Sequence, residues 1–456
     1  MKKKIFWLIT MILLVGLLLV GCQPAEDATP KEPDAETVTI TIWDFGGAEF
    51  SYLDEIAIPE FEAKFPNIKI NHVGVLEDEL GLKIETAIAA EEVPDIAIFV
   101  PTRVIAAGHV LALDDYMARD GISRDDYCAL FKAGDIANYG KFEDKVVSLP
   151  IDTNIWAMVY NKDLFAAAGL PELGTDDYID FETWLEFARA INQPAPAENL
   201  EDRVWGSNMF IPVFNSQNNY MSSPFALGDD GRSCEGNANN ADWMNAWDLM
   251  MTAYDEDLTP ESAGVWFEEL EEDMFIQGKI GMTYSTLGDA VYARDQGLNV
   301  GLTGQPVVTD GWSGNVGGWN NSYSIMAGSA HPDEAWEFLK FLSTEAPLNI
   351  PLASDMLISD EAGLPGLPCY LPLHEQGRIA EMIAEDPLVA DSVALMSHIV
   401  PPPFTPDTWT SFDEFWNVFS LVEDEGMTLE EAVNEATAVC QEATDELWDV
   451  FDSIGQ

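Results

Sequence analysis

Two short stretches set an aromatic plate beside a polar group: Trp43-Asp44, and Trp319-Asn320 behind the paired glycines Gly317-Gly318. An indole face covers a patch of C–H, and an adjacent carboxylate or amide exchanges hydrogen bonds with hydroxyls, so such pairs suit a polyhydroxylated ligand. The glycines would let the backbone come close to it. Each pair also has a plainer reading, Trp43 as core beside a solvated Asp44, and Gly317-Gly318 as the turn before a strand at Ser322 to Met326. Arg103, among only 21 Lys+Arg against 80 Asp+Glu, could donate several fixed hydrogen bonds to ligand oxygens or pair with one of the acids. The five His are scattered, and the sequence has no His-Glu-x-x-His, no phosphate loop of the Gly-x-x-x-x-Gly-Lys-Ser/Thr type and no Asp-rich calcium loop. No metal or cofactor is expected.

The formal charge of −59 repels nucleic acid and anionic lipid surfaces, and the scarcity of cations argues against strongly anionic ligands. The acidity suits a salty habitat and solubility without defining a function. At 456 residues, 47% hydrophobic, the chain can bury more than one core.

The amino end reads Met1-Lys2-Lys3-Lys4, then an apolar run from Ile5 to Val20, then Gly21-Cys22, which is the build of an export signal. Leu19-Val20-Gly21-Cys22 resembles the lipobox of bacterial lipoproteins, which implies a signal peptide over 1–21 and acyl chains on Cys22. Residues 22–37, rich in Pro, Ala, Asp and Glu, read as a tether of about 50 Å when extended. Cys128, Cys234, Cys369 and Cys440 remain, and an exported location permits disulfides among them in any of three pairings.

The elements that would position a site follow from periodicity. Val38 to Trp43 alternates as a strand, Ile56 to Phe65 is helix-like, Ile68 to Val73 alternates again, Leu76 to Ala90 is helical, and Pro94 to Val100 is a short apolar run like a buried parallel strand. This is an α/β pattern. Later, Ala335, Phe338, Leu339 and Leu342 form a helical stripe behind Pro332. Thr428-x-x-Glu431 has the pattern of a capping box opening a long helix, with Ala432, Val433, Ala436, Val439, Ala443, Leu447 and Val450 on one face, read as core.

Several stretches in order resemble the extracellular solute-binding proteins of bacterial ABC importers, in particular the maltose-binding-like carbohydrate-binding family: Ile42-Trp43-Asp44; Pro94-Asp95-Ile96 with Ala106 to Asp114; Leu149 to Asn154 with Val159 to Phe165; Phe275 to Met282; Gly317-Gly318-Trp319; and His331 to Leu339. The resemblance implies two α/β lobes joined by a hinge, closing on a ligand in the cleft between them, without catalysis. It implies an amino-terminal lobe of 38–150 plus 299–343 and a carboxy-terminal lobe of 151–298 plus 344–456. It also implies a sugar ligand, ABC importer permease subunits as partners and a monomer lipid-anchored outside the cell membrane.

Residue by residue, Asn154 stands where the maltose-binding pattern has a ligand-contacting acid, with Asp152 two residues earlier in the hinge. Thr102 replaces an acid before the matching Arg103. Tyr284, followed by Ser285, is the candidate for an aromatic plate, since the Trp of the pattern aligns near Gly288 and is absent. Trp409 resembles a carboxy-terminal-lobe aromatic that stacks on sugar; Asn215 and Trp312 complete the candidate set. Three alternatives stay open: a polyamine or other cationic ligand, which Trp, Tyr and carboxylates also accommodate; a sensor lipoprotein; and an exported glycoside hydrolase, for which chance pairs among 80 acids carry no weight.

Overall fold

The computed structural model describes residues 37–45, 52–194, 203–208, 228, 230–263, 274–307, 316–351, 366–399, 404, 406, 415 and 417–454. Residues Thr39–Gln456 form one compact unit. The leader, Cys22 and the tether lie outside the described residues, as do Asn215, Trp312 and Trp409. Among the described residues, no helix is long and apolar enough to cross a membrane.

The chain begins with β1 (Val38–Phe45), whose alternation buries Ile40 and Ile42 completely. A helical segment at Leu53–Ala57 runs into α1 (Ile58–Lys64), followed by β2 (Ile68–Val75), α2 (Glu77–Ala90) and β3 (Ile96–Ile98). β1 and β3 pair in parallel, Ile42 opposite Ile96, as the strand–helix–strand pattern requires. Short helices α3 (Thr102–Ala106), α4 (Asp114–Asp120) and α5 (Ala129–Gly134) precede a two-stranded ribbon of β4 (Ile136–Ala137) and β5 (Lys145–Val146).

The long strand β6 (Leu149–Asn161) gives way to α6 (Lys162–Ala168). The Asn161 carboxamide starts that helix by accepting from the N–H groups of Asp163 and Leu164 at 3.0 and 3.1 Å. Next come α7 (Phe181–Ile191), β7 (Trp205–Ser207), α8 (Ala241–Asp255), β8 (Ile280–Thr286), α9 (Leu287–Asp295), β9 (Val300–Thr303) and β10 (Gly317–Ile325). In α10 (Pro332–Thr344) the four stripe residues Ala335, Phe338, Leu339 and Leu342 are all fully buried. The remainder is α11 (Gly377–Glu385), α12 (Pro387–Leu395), α13 (Val418–Glu423) and α14 (Leu429–Ile454).

One sheet runs through the unit in the order β2-β1-β3-β10-β6-β8-β7, with β9 also on β6. β6 joins its two ends. Leu149 to Trp156 pair antiparallel with β10, whereas Trp156 to Asn161 pair with β8 and β9. Each end has its own apolar packing. Phe61 of α1 meets Phe338 of α10, ring centroids 4.8 Å apart, beside the first part. Phe165, Phe181, Trp184 and Leu185 of α6 and α7 pack with Met158, Tyr160 and Met282 at the second.

The four cysteines form two disulfides, Cys128–Cys369 and Cys234–Cys440. The first fastens the start of α5 to a segment whose Leu367 bridges Thr153 of β6. The second sits in an apolar cluster of Trp247, Met250, Val433 and Ala436, where α14 packs on α8.

Candidate functional site

A cavity of about 860 Å³ opens at the strand ends on the first part of the sheet, where ligands of open α/β sheets gather. The turn from β3 into α3 supplies Phe99, Val100, Pro101, Thr102 and Arg103. β10 supplies Trp319, Asn320, Ser322 and Ser324; Asp135 and Ser148 line the wall between; and Ala443, Leu447, Val450 and Phe451 of α14 face them. Phe99 is 39% exposed and has a positive φ of 44°, a left-handed backbone that a bulky side chain adopts only when its surroundings hold it there. The apolar run that predicts β3 gives no hint that its last aromatic turns outward.

Four sequence candidates therefore meet at one cavity: Thr102, Arg103, Trp319 and Asn320. Arg103 is already engaged, its Nε donating to the Glu85 carboxylate. Its lining role and its pairing with an acid are both present, and the pairing neutralises the cation.

Asn154 and Trp319 stand directly opposite each other across β6 and β10, so their side chains share a face. The Trp156 ring lies 5.6 Å from Trp319 and 5.0 Å from Tyr284. Asn154 Oδ1 is buried without a hydrogen-bond partner, an acceptor left open beside an aromatic trio. Tyr284 itself is buried, and desolvation pushes its phenol well above the usual range. Ser285 donates to Asp289, which also closes the capping box of α9 with Thr286.

Trp43, Asp44 and Asp152 are held elsewhere. Trp43 is half-buried under the Lys83 ammonium, 4.5 Å from its ring centre. Asp44 is fully buried and accepts from the Tyr323 hydroxyl at 2.5 Å. Asp152, also fully buried, accepts from Asn321 Nδ2 of β10 at 2.8 Å and from the Gly366 N–H at 2.9 Å. Burial pushes its carboxyl up to about 6 despite those donors. Gly366 is required there, because a Cβ would lie 2.2 Å from the Thr153 carbonyl.

Asp135 escapes a sequence search because nothing in Ala133-Gly134-Asp135-Ile136 marks it out. It is 1% exposed. Its carboxylate accepts from Ser148 Oγ at 2.5 Å and from Asn320 Nδ2 at 3.0 Å. Burial raises it to about 6 against the pull of its polar neighbours. The stripe of α14, expected to be core throughout, is core only in its first half. Ala432, Val433, Ala436 and Cys440 are core, but Val439 and Val450 are 39% and 57% exposed, and Ala443, Leu447 and Val450 line the cavity. Period alone reports a stripe, not what covers it. At the rim, Tyr139 stacks on Phe404 at 4.4 Å, and Phe404 abuts Trp448 and Phe451 of α14. Among the described residues, no group of three His, Cys, Asp or Glu could hold a metal ion.

A family model for bacterial extracellular solute-binding proteins matches residues 46–347. The chain belongs to this family. A solute-binding protein with this sheet has relatives at low identity. A binding protein of Brucella abortus (strain 2308) is 26% identical over 338 residues, 72% of this chain and 76% of the relative. Among solved structures, the sugar-binding protein MalE of Xanthomonas citri superposes with a TM-score of 0.70 at 16% identity, over 91% of this chain and 99% of its own. The maltodextrin-binding domain MalE of Bdellovibrio bacteriovorus, bound to maltotriose, gives 0.62 at 18%, over 89% and 99%. A substrate-binding protein of Listeria monocytogenes in complex with cycloalternan gives 0.62 at 17%, over 90% and 100%. The fold of this solute-binding protein is thus the two-lobed one of periplasmic binding proteins, with β6 running from one half of the sheet to the other.

Proposed function

We propose that this solute-binding protein captures a neutral sugar or short oligosaccharide by hinge closure and passes it to the permease of an ABC importer, without catalysis. It does so as a monomer held to the outer face of the membrane by lipid on Cys22. One observation carries the ligand class: the open acceptor of Asn154 opposite Trp319, with Trp156 and Tyr284 behind. Aromatic faces take the C–H side of a sugar ring, and an amide takes its hydroxyls. Capture of sugars by structural relatives, maltotriose by one and cycloalternan by another, supports the same class. The pairing of Arg103 with Glu85 speaks against a phosphorylated ligand, which needs free cations.

In this reading the first lobe is 38–150 plus 299–343 and the second is 151–298 plus 344–456, with β9 (Val300–Thr303) moved into the second lobe. The pairing of β9 with Met158 to Asn161 supports starting the return after Thr303 rather than at Asn299. Contacts to one ligand from both lobes would bias the population towards closure.

The test is a titration of the mature domain with maltotriose, mannotriose and spermidine, followed by tryptophan fluorescence and thermal midpoint. A saturable response to a sugar, weakened at least tenfold by Trp319→Ala, is expected. A response to spermidine alone overturns the sugar assignment in favour of a cationic ligand.

A further inference from the structure

We propose that Asp135 sets the hydrogen-bond polarity of one wall of the cavity, turning Ser148 and Asn320 into a surface of acceptors that selects ligand groups able to donate. The proposal rests on the sugar-binding reading and adds to it a residue that fixes which sugar hydroxyls are read and how.

An ionised carboxylate only accepts. Ser148 Oγ–H spends its proton on it, so its oxygen keeps lone pairs alone for the cavity. The same constraint decides the orientation of Asn320: only its NH₂ can face Asp135, at 3.0 Å, so its carbonyl oxygen turns away. The neighbour of that oxygen is Cys128 Sγ at 3.7 Å, which is bonded to Cys369 and has no proton to give. One amide hydrogen of Asn320 remains, set against the lone pairs of the Ser148 and Asn320 oxygens. All three residues line the cavity, and Asp135, 1% exposed, has no direct reach to bulk water. Asp135 thus acts through its neighbours, as a positioning residue.

Asp135→Asn keeps the shape and replaces one acceptor by a donor. Asn320 can then reverse its amide, and the wall loses its single polarity. Hydroxyls on a ligand can donate or accept, a fluorine in their place only accepts, and an ammonium only donates. Affinities of wild type and Asp135→Asn are therefore measured for maltotriose and mannotriose, for their monodeoxyfluoro and monodeoxyamino analogues, and for spermidine.

In wild type, at least one fluoro analogue is expected to bind at least tenfold more weakly than its parent, while the amino analogue at that position keeps its affinity within threefold. In Asp135→Asn the parent sugar weakens at least tenfold, and the gap between parent and fluoro analogue falls below threefold. Sugar binding with equal fluoro and parent affinities in both proteins overturns the proposal and leaves the sugar reading standing. Binding of spermidine alone overturns the sugar reading and the proposal with it. No response to any probe overturns both. Should Asp135→Asn not fold, Ser148→Ala is compared in the same way. A loss of fluoro discrimination supports the proposal, and unchanged discrimination overturns it.

Discussion

Asp135 and Asp152 are two carboxylates buried in one sheet, each with a folded-state pKa pushed up to about 6 from 3.8 by desolvation. A group that binds its proton more tightly when folded contributes stability fully present below its unfolded value and lost as pH rises through its folded value. A rise of this size corresponds to about 3 kcal/mol per group. Asp120 works the other way: although burial opposes its ionisation, hydrogen bonds from Lys340, Trp336 and Arg119 hold it well below the usual range, so its contribution is lost in strong acid. The thermal midpoint is therefore expected to rise as pH falls from about 7.5 to about 5. The rise should shrink in Asp152→Asn, and thermal scans at fixed ionic strength measure the difference between the two proteins. A parallel pH profile in the variant would remove Asp152 from the account. Sequence reading marks Asp152 as a candidate ligand group because it stands two residues before Asn154. What the sequence cannot reveal is that Gly366 and Asn321, distant along the chain, bring two donors to it.

At the level of elements, α14 carries the clearest division between legible and hidden. Its start is written in four residues: the Thr428 N–H and hydroxyl donate to Glu431 at 2.9 and 2.8 Å, and Glu431 N–H returns a bond to Thr428 Oγ at 3.2 Å. Its apolar stripe is legible as well, but the stripe serves two environments. Val433 is fully buried against α8 and α13, whereas Val450 faces the cavity and is largely exposed. Two substitutions separate these roles. Val450→Lys is expected to leave unfolding free energy within about 0.5 kcal/mol and to weaken sugar binding, since a long cation enters the roof of the cleft. Val433→Ala should cost about 2 kcal/mol of stability and leave affinity near wild type. Chemical denaturation and sugar titration of both variants check the pair, and the reverse pattern would place the stripe in a single environment.

Across the whole molecule, 80 acids outnumber 21 Lys+Arg nearly fourfold, and self-repulsion opposes compaction. Raising salt from about 0.01 M to about 1 M shortens the screening length from about 30 Å to about 3 Å. The midpoint is expected to climb across that range, more steeply with sodium chloride than with an equal osmolality of sucrose; a flat response would mean that the repulsion is already compensated. The α/β class and the order of the early elements follow from alternation and helical period, but the pairing of the cysteines does not, because three pairings satisfy the sequence equally. The place of β10 is equally hidden from periodicity, since a strand begun at Gly317 lies between β3 and β6. That insertion has a meaning in time. A chain emerging amino end first makes β1, β2, β3 and β6 long before their middle strand exists. Neither disulfide can close until Cys369 and Cys440 have followed, and Cys369 returns to Cys128 across a sequence separation of 241. For a chain read as exported, an oxidising far side could set the first covalent lock only once Cys369 has crossed and the second only once Cys440 has, so the two ends of the sheet are fastened late.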